Sequence, residues 1–164
     1  MDTFSQANHH FIPADFNSFD FRDLLDEYEQ NGETILWHTG TKDGKRAHKF
    51  TVGDMCYFYY SNLPDGTSRI ILKGVVTEAN AVHRSNDETR GFRVGNISSV
   101  ALKQPQKFDR TKLEKFYFGS TDKPKRVNQT QRYLCQESYR VLLEDLLADD
   151  DHATLAEVLQ YFGD

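Results

Sequence analysis

Three tyrosines fall inside one seven-residue stretch, MCYFYYS at 55–61. In an extended strand successive side chains alternate between faces. Met55, Tyr57, Tyr59 and Ser61 then share one face, and Cys56, Phe58 and Tyr60 the other. A tyrosine offers a flat π-face and a hydrogen-bonding tip, and a buried one needs a partner for its hydroxyl. Such a lining suits a flat, polar, aromatic ligand, although Tyr57 and Phe58 fit an ordinary core better. Trp37, the only tryptophan, supplies a further stacking face, and GTKDGKRAHK (40–49) follows it. That polar, basic, glycine-bearing stretch reads as a loop. A stacking ring beside cations is chemistry for nucleic acid: the ring takes a base and the cations take phosphates.

Six histidines offer acid–base chemistry: His9, His10, His38, His48, His83 and His152. A metal-independent nuclease would pair His38 or His48 with Lys49 and Asp54. On an edge strand, however, His38 alternates outward from Trp37, and a loop histidine such as His48 is ordinarily just solvated. The chain has no CxxC, no HExxH and no GxxxxGK[ST], so neither a metal nor a cofactor is expected. Cys56 and Cys135 are too few for a secreted disulfide framework and read as buried thiols of a cytoplasmic protein. No apolar run reaches the roughly 18–20 residues of a membrane span.

The elements that must carry these groups follow from periodicity and punctuation. HHFIPA (9–14) reads as a short strand, with Pro13 placing it at an edge or a strand end. Phe21, Leu24, Leu25 and Tyr28 fall on one helical face, with Asp20 or Ser18 as cap and Gly32 as stop. TILWH (34–38) is a second strand. MCYFYYS, the turn LPDG (63–66) and RIILKGVVTEAN (69–80) form a hairpin. HRSNDETRG (83–91) reads as a polar loop and FRVGNISSVALK (92–103) as a further strand. A short helix near 111–114 and a basic loop, KPKRVNQTQR (123–132), lead to a helix over about 130–148. DDD (149–151) breaks it and caps a last helix whose apolar face is Leu155, Val158, Leu159 and Phe162. Central strands with helices toward the ends predict α+β: one domain over 1–164, a small twisted β-barrel over about 9–103, and C-terminal helices over about 110–163 packed outside it.

The formal net charge of -5 argues against a nucleic-acid partner until it is divided. Residues 1–30 hold seven acids and one base, and 137–164 hold eight acids and one base. The middle of the chain holds the remaining ten acids and eighteen bases. A basic centre between acidic ends can attract phosphates locally.

Several features, in order, resemble the EVE domain of the PUA-like superfamily. They are FIPADFNSFD with Asn17 and Phe19-Asp20, a first helix ending at a glycine, Trp37, a polar loop, VGD at 52–54, YFYYS at 57–61 and RIILKGVV at 69–76. The resemblance covers about residues 9–103. His9, His10 and Phe11 stand where the family's opening tryptophan is expected. Such domains, like the related YTH and SRA-type readers, hold a flipped-out modified base in an aromatic pocket, and some are fused to restriction-type nucleases. The resemblance therefore implies a non-catalytic DNA- or RNA-binding domain that reads a base such as methylated or hydroxymethylated cytosine. Its pocket would comprise Trp37, Tyr59, Ser61, Asn17 and Tyr57. Backbone contacts would come from Lys42, Lys45, Arg46 and Lys49, then from Arg84, Arg90, Arg93, Lys123, Lys125 and Arg126. Two other readings stay open: an ASCH-like RNA-binding protein or ribonuclease, and a protein-interaction module docking through the acidic ends.

Overall fold

The computed structural model describes residues 8–41, 50–83, 86–109, 131–133, 137–149 and 151–163. The strands are β1 (His9–Asp15), β2 (Thr34–Thr41), β3 (Met55–Ser61), β4 (Arg69–His83), β5 (Asn86–Ser99) and the three-residue β6 (Gln131–Tyr133). The helices are α1 (Phe21–Gln30), α2 (Glu137–Ala148) and α3 (Leu155–Tyr161). The α+β class holds. All six strands join in one mixed sheet, ordered β2-β5-β4-β3-β1-β6, in which β1 and β3 run parallel. Gln131 and Arg132, expected in a loop, and Tyr133, expected in the helix, belong to β6, so that α2 begins only at Glu137, and β5 begins at Asn86, inside the stretch that reads as loop. Pro13 lies on β1 beyond the residues that pair with β6, where a missing N–H costs no ladder bond.

The expected barrel is not closed: β2 and β6 are the two ends of the sheet. The sheet is nonetheless strongly curled. β3 lies three places from β2, about 14 Å away in a flat sheet. Yet the rings of Trp37 on β2 and Phe58 on β3 meet with centroids 5.0 Å apart. The concave face encloses one core, built from Ile12, Ala14, Ile35, Trp37, Phe58, Tyr60, Ile71, Val76, Phe92 and Val94. Gly74 permits the tight β4–β5 approach this requires, because a Cβ there would stand 2.5 Å from Val94 Cγ1. Helix α1 starts at its cap Asp20, whose side chain accepts from Arg22 N. It adds Phe21 and Leu24 to this core, and α3 adds Leu155 and Val158. Cys56 is buried here, and burial pushes its thiol pKa well up.

The other face of the sheet carries a second core. Phe11, Tyr57, Tyr59 and Ile70 pack under Leu142, Leu143 and Leu146 of α2, with Val100 and Phe108 at one side. Lys73 reaches out of β4 to the end of α2, where its Nζ donates to Leu146 O (3.1 Å) and Asp149 O (3.0 Å). A cation on those last carbonyls suits the negative end of a helix.

Asp149 and Asp151 do not cap α3; Thr154 does, accepting from Glu157 N. They latch the α2–α3 joint to the end of β5. Asp149 accepts from Ala101 N, Asp151 N and Lys107 Nζ (2.7 Å). Asp151 accepts from Ser99 Oγ and from Leu102 N. Burial raises the pKa of Asp149, but Lys107 and the two amides outweigh it and hold the carboxyl below its usual value. A depressed native pKa contributes stability above the unfolded value of 3.8 that is lost as pH falls through the native one. Asp149→Asn is therefore expected to lower stability at pH 7 and to flatten the acid limb below about pH 4. Urea unfolding at a series of pH values checks this, and parallel wild-type and variant curves would refute it.

Candidate nucleic-acid interface

The parallel register places Asp15 of β1 beside Ser61 of β3, so both strands end at one level. Asp15 organises the turn that follows. Its Oδ1 accepts from Asn17 N (2.9 Å) and from Asn62 Nδ2 (3.1 Å). Its carbonyl accepts from Ser18 N (2.9 Å) and Phe19 N (2.8 Å). The Asn17 amide and then the Asn62 amide hold the Asp15 carboxyl below its usual pKa. Ser61 joins the two strand ends, its Oγ donating to Ala14 O and its carbonyl accepting from Phe16 N. The turn is thus fixed at its backbone before Asp20 caps α1.

This fixed turn delivers Phe19 onto Trp37. The two rings lie 4.8 Å apart at a tilt of 37°. Trp37 is 8% exposed and Phe19 is 40% exposed. On its inner side Trp37 meets Phe58 edge-on, at 62°. The tryptophan is therefore seated by the core and covered outward by one exposed ring. Tyr60 belongs to the same aromatic core, against Phe21 at 5.0 Å. It is fully buried, and its hydroxyl has no hydrogen-bond partner among the described residues. Burial and the nearby Asp20 carboxylate push its pKa up.

Of the five pocket residues expected from the sequence, Asn17 and Ser61 are brought to the turn that carries Phe19 onto Trp37. Tyr57 and Tyr59 are not. Strand alternation puts Phe58 on the side of Trp37, and so turns residues 57 and 59 to the opposite face, under α2. Tyr57 is fully buried there, with its hydroxyl 3.0 Å from His9 Nδ1. A pocket shared by Trp37 and Tyr59 is not formed.

Among the expected backbone contacts, Lys42, Lys45, Arg46, Lys49, Arg84, Lys123, Lys125 and Arg126 lie outside the described residues. The strand register carries the other two. Trp37 pairs with Phe92, Leu36 with Arg93, and Gly40 with Arg90. Arg90 and Arg93 thus stand on the strand next to Trp37, but Arg93, paired with Leu36, alternates to the face opposite Trp37. The Arg93 Nε donates to Glu78 Oε2 (3.1 Å), across β4 and β5.

Asp54, the carboxylate of the nuclease alternative, is bound elsewhere. It is 4% exposed. Its Oδ2 lies 2.8 Å from His10 Nε2 and accepts from Thr51 N (3.0 Å), while Oδ1 accepts from Asn8 N (3.3 Å). This network ties the start of β1 to the turn before β3, and Phe50 covers the His10 ring at 4.3 Å. His48 and Lys49 lie outside the described residues. Sequence reasoning missed His10 as the partner of Asp54, because 44 residues separate them and no local spacing signals the contact. It also missed Phe19 as a site residue, although an aromatic in the turn just before a helix cap was a usable signal. Among the described residues, no cluster of His, Cys, Asp or Glu is placed to hold a metal, and no helix is long and apolar enough to cross a membrane.

No protein-family profile and no curated protein matches the chain. Among the solved structures to which the chain is similar are the following two. One is a hypothetical protein from Leishmania major, with a TM-score of 0.53 at 12% identity, covering 85% of this chain and 94% of that one. The other is a protein from Agrobacterium tumefaciens, with a TM-score of 0.47 at 13% identity, covering 90% of this chain and 99% of that one. The first likeness concerns the fold alone.

Proposed function

We propose that this chain is a nucleic-acid-binding domain of PUA-like, partly closed barrel type that reads a modified base, as the EVE resemblance implies, with Trp37 as the stacking floor. The observation that carries the reading is the seating of Trp37. The core holds its inner side, one exposed ring covers its outer side, and the neighbouring strand bears Arg90. Extruding a base from a duplex costs a few kcal/mol. Stacking on an aromatic side chain returns about 1–3 kcal/mol. The two terms nearly balance, so the group carried by the base decides occupancy. One buried methyl is worth about 0.8 kcal/mol, roughly fourfold. Asn17 at the turn supplies a polar contact to the base edge, while Ser61, on the face of Tyr59 and bound to Ala14 O, holds the turn in place. The basic middle of the chain supplies a backbone term that weakens steeply with salt. In this role the domain is the sensor of a restriction-type defence system, acting with a fused or associated nuclease.

The test is titration of oligonucleotides that differ in one base, carrying cytosine, 5-methylcytosine or 5-hydroxymethylcytosine, as DNA and as RNA, at two salt concentrations. One modification is expected to bind about tenfold tighter than plain cytosine, which is 1.4 kcal/mol. All forms are expected to lose affinity in parallel as salt rises. Equal affinity for every form, or no binding at low salt, overturns the reading.

A further inference from the structure

Trp37 offers an incoming base no open face. Among the described residues its ring partners are Phe58, which is buried, and Phe19, which is not. A base sandwiched between Phe19 and Trp37 would need two carbon contacts of about 3.5–4 Å, a separation of about 7–8 Å. The rings stand 4.8 Å apart, already in contact. Phe58 cannot yield without opening the core. The backbone under Phe19 cannot yield cheaply either. Its amide is bound to Asp15 O at 2.8 Å, the preceding amides are bound to Asp15 as well, and Asp20 immediately caps α1. What remains is rotation of the Phe19 side chain, and exposed rotamers exchange within nanoseconds.

We infer that Phe19 is a gate: it occupies the stacking position on Trp37 in the empty protein and swings out when a base enters. This deepens the base-reading proposal and rests on it. A gate of this kind has a definite thermodynamic signature. The apparent affinity is the intrinsic affinity multiplied by the fraction of protein with the gate open. That fraction is the same whichever base arrives, so the gate weakens binding of modified and plain bases by one common factor and leaves their ratio untouched. A sandwiching wall would do the opposite, since removing it would weaken binding.

The sole tryptophan makes the gate directly visible. Phe19→Ala is expected to increase acrylamide quenching of Trp37 in the free protein. It is also expected to tighten binding of both the modified and the plain oligonucleotide by about two- to tenfold, the range set by releasing one aromatic pair. Phe19→Tyr keeps the ring and is expected to match wild type in both measurements. Weaker or unchanged binding by Phe19→Ala, with the modification preference intact, overturns the gate and leaves the base reader standing. Absence of any modification preference in wild-type protein removes both.

Discussion

Arg69→Met is expected to lower stability by about 2–4 kcal/mol, the cost of leaving two buried carbonyls without their donor while the carboxylate partner returns to solvent. The Arg69 side chain is fully buried and spends its donors on four acceptors. Nη1 donates to Ala101 O. Nη2 donates to Leu102 O (3.1 Å) and Asp65 Oδ2 (3.2 Å), and Nε to Thr67 Oγ1 (3.2 Å). Methionine fills much of the volume but satisfies none of them. The loss reaches beyond unpaired oxygens. Ala101 holds a φ of +49°, a left-handed conformation unfavourable for a residue with a Cβ. Arg69 fixes that turn from one side and Asp149, through Ala101 N, from the other. Releasing it loosens the β5 end against which α2 and α3 are latched. Arg69→Lys keeps the charge but cannot fork across the separate acceptors, so it recovers only part of the loss. Urea unfolding is the measurement, with a lower midpoint and an unchanged slope expected. A change under about 1 kcal/mol for the methionine variant would refute this account.

Arg69 also shows why much of this protein was not legible in its sequence. The residue reads simply as the start of a strand; its two carbonyl acceptors lie 32 and 33 residues away. Local signals served well. The aromatic strand 55–61 and the Asp20 cap of α1 came out as expected, because alternation, helical spacing and capping chemistry act within a few residues. The polar composition of NDETR argued for a loop, yet those residues lie in β5, because ladder bonds are made by backbone and are indifferent to side-chain polarity. The triple aspartate follows the end of α2, as a breaker should, but it does not cap α3; its described members bind the β5 end some 50 residues away. At the site, alternation correctly divided Tyr57 and Tyr59 from Phe58. It could not say which of those faces Trp37 would join. That depends on a sheet curled enough to bring β2 over β3, a property of strand order and not of any one strand.

Trp37→Leu is expected to erase discrimination between modified and plain bases while leaving backbone binding intact. Leucine remains apolar on the concave core but offers no plane on which a base can stack. The stacking term lost is about 1–3 kcal/mol, so the favoured oligonucleotide should give up at least its preference of about tenfold. Plain oligonucleotide loses the same stacking contact, so both forms should fall to one common affinity set by phosphate contacts, with the salt dependence retained. Trp37 is also a core residue, and full truncation of a buried tryptophan costs about 3–5 kcal/mol of stability. Leucine limits that cost, and binding should be read well below the variant's unfolding midpoint, with circular dichroism confirming the fold. Retained preference in a folded Trp37→Leu protein would remove Trp37 from the site. The sign of this effect matters as much as its size. Phe19→Ala and Trp37→Leu break the same ring contact, yet the first is expected to tighten binding and the second to weaken it. A contact that merely stabilised the turn would move both variants in one direction. In the double variant the gate has nothing left to uncover, so it should bind as Trp37→Leu alone does. Independent contributions would instead restore part of the affinity, and the double-mutant cycle separates the two cases.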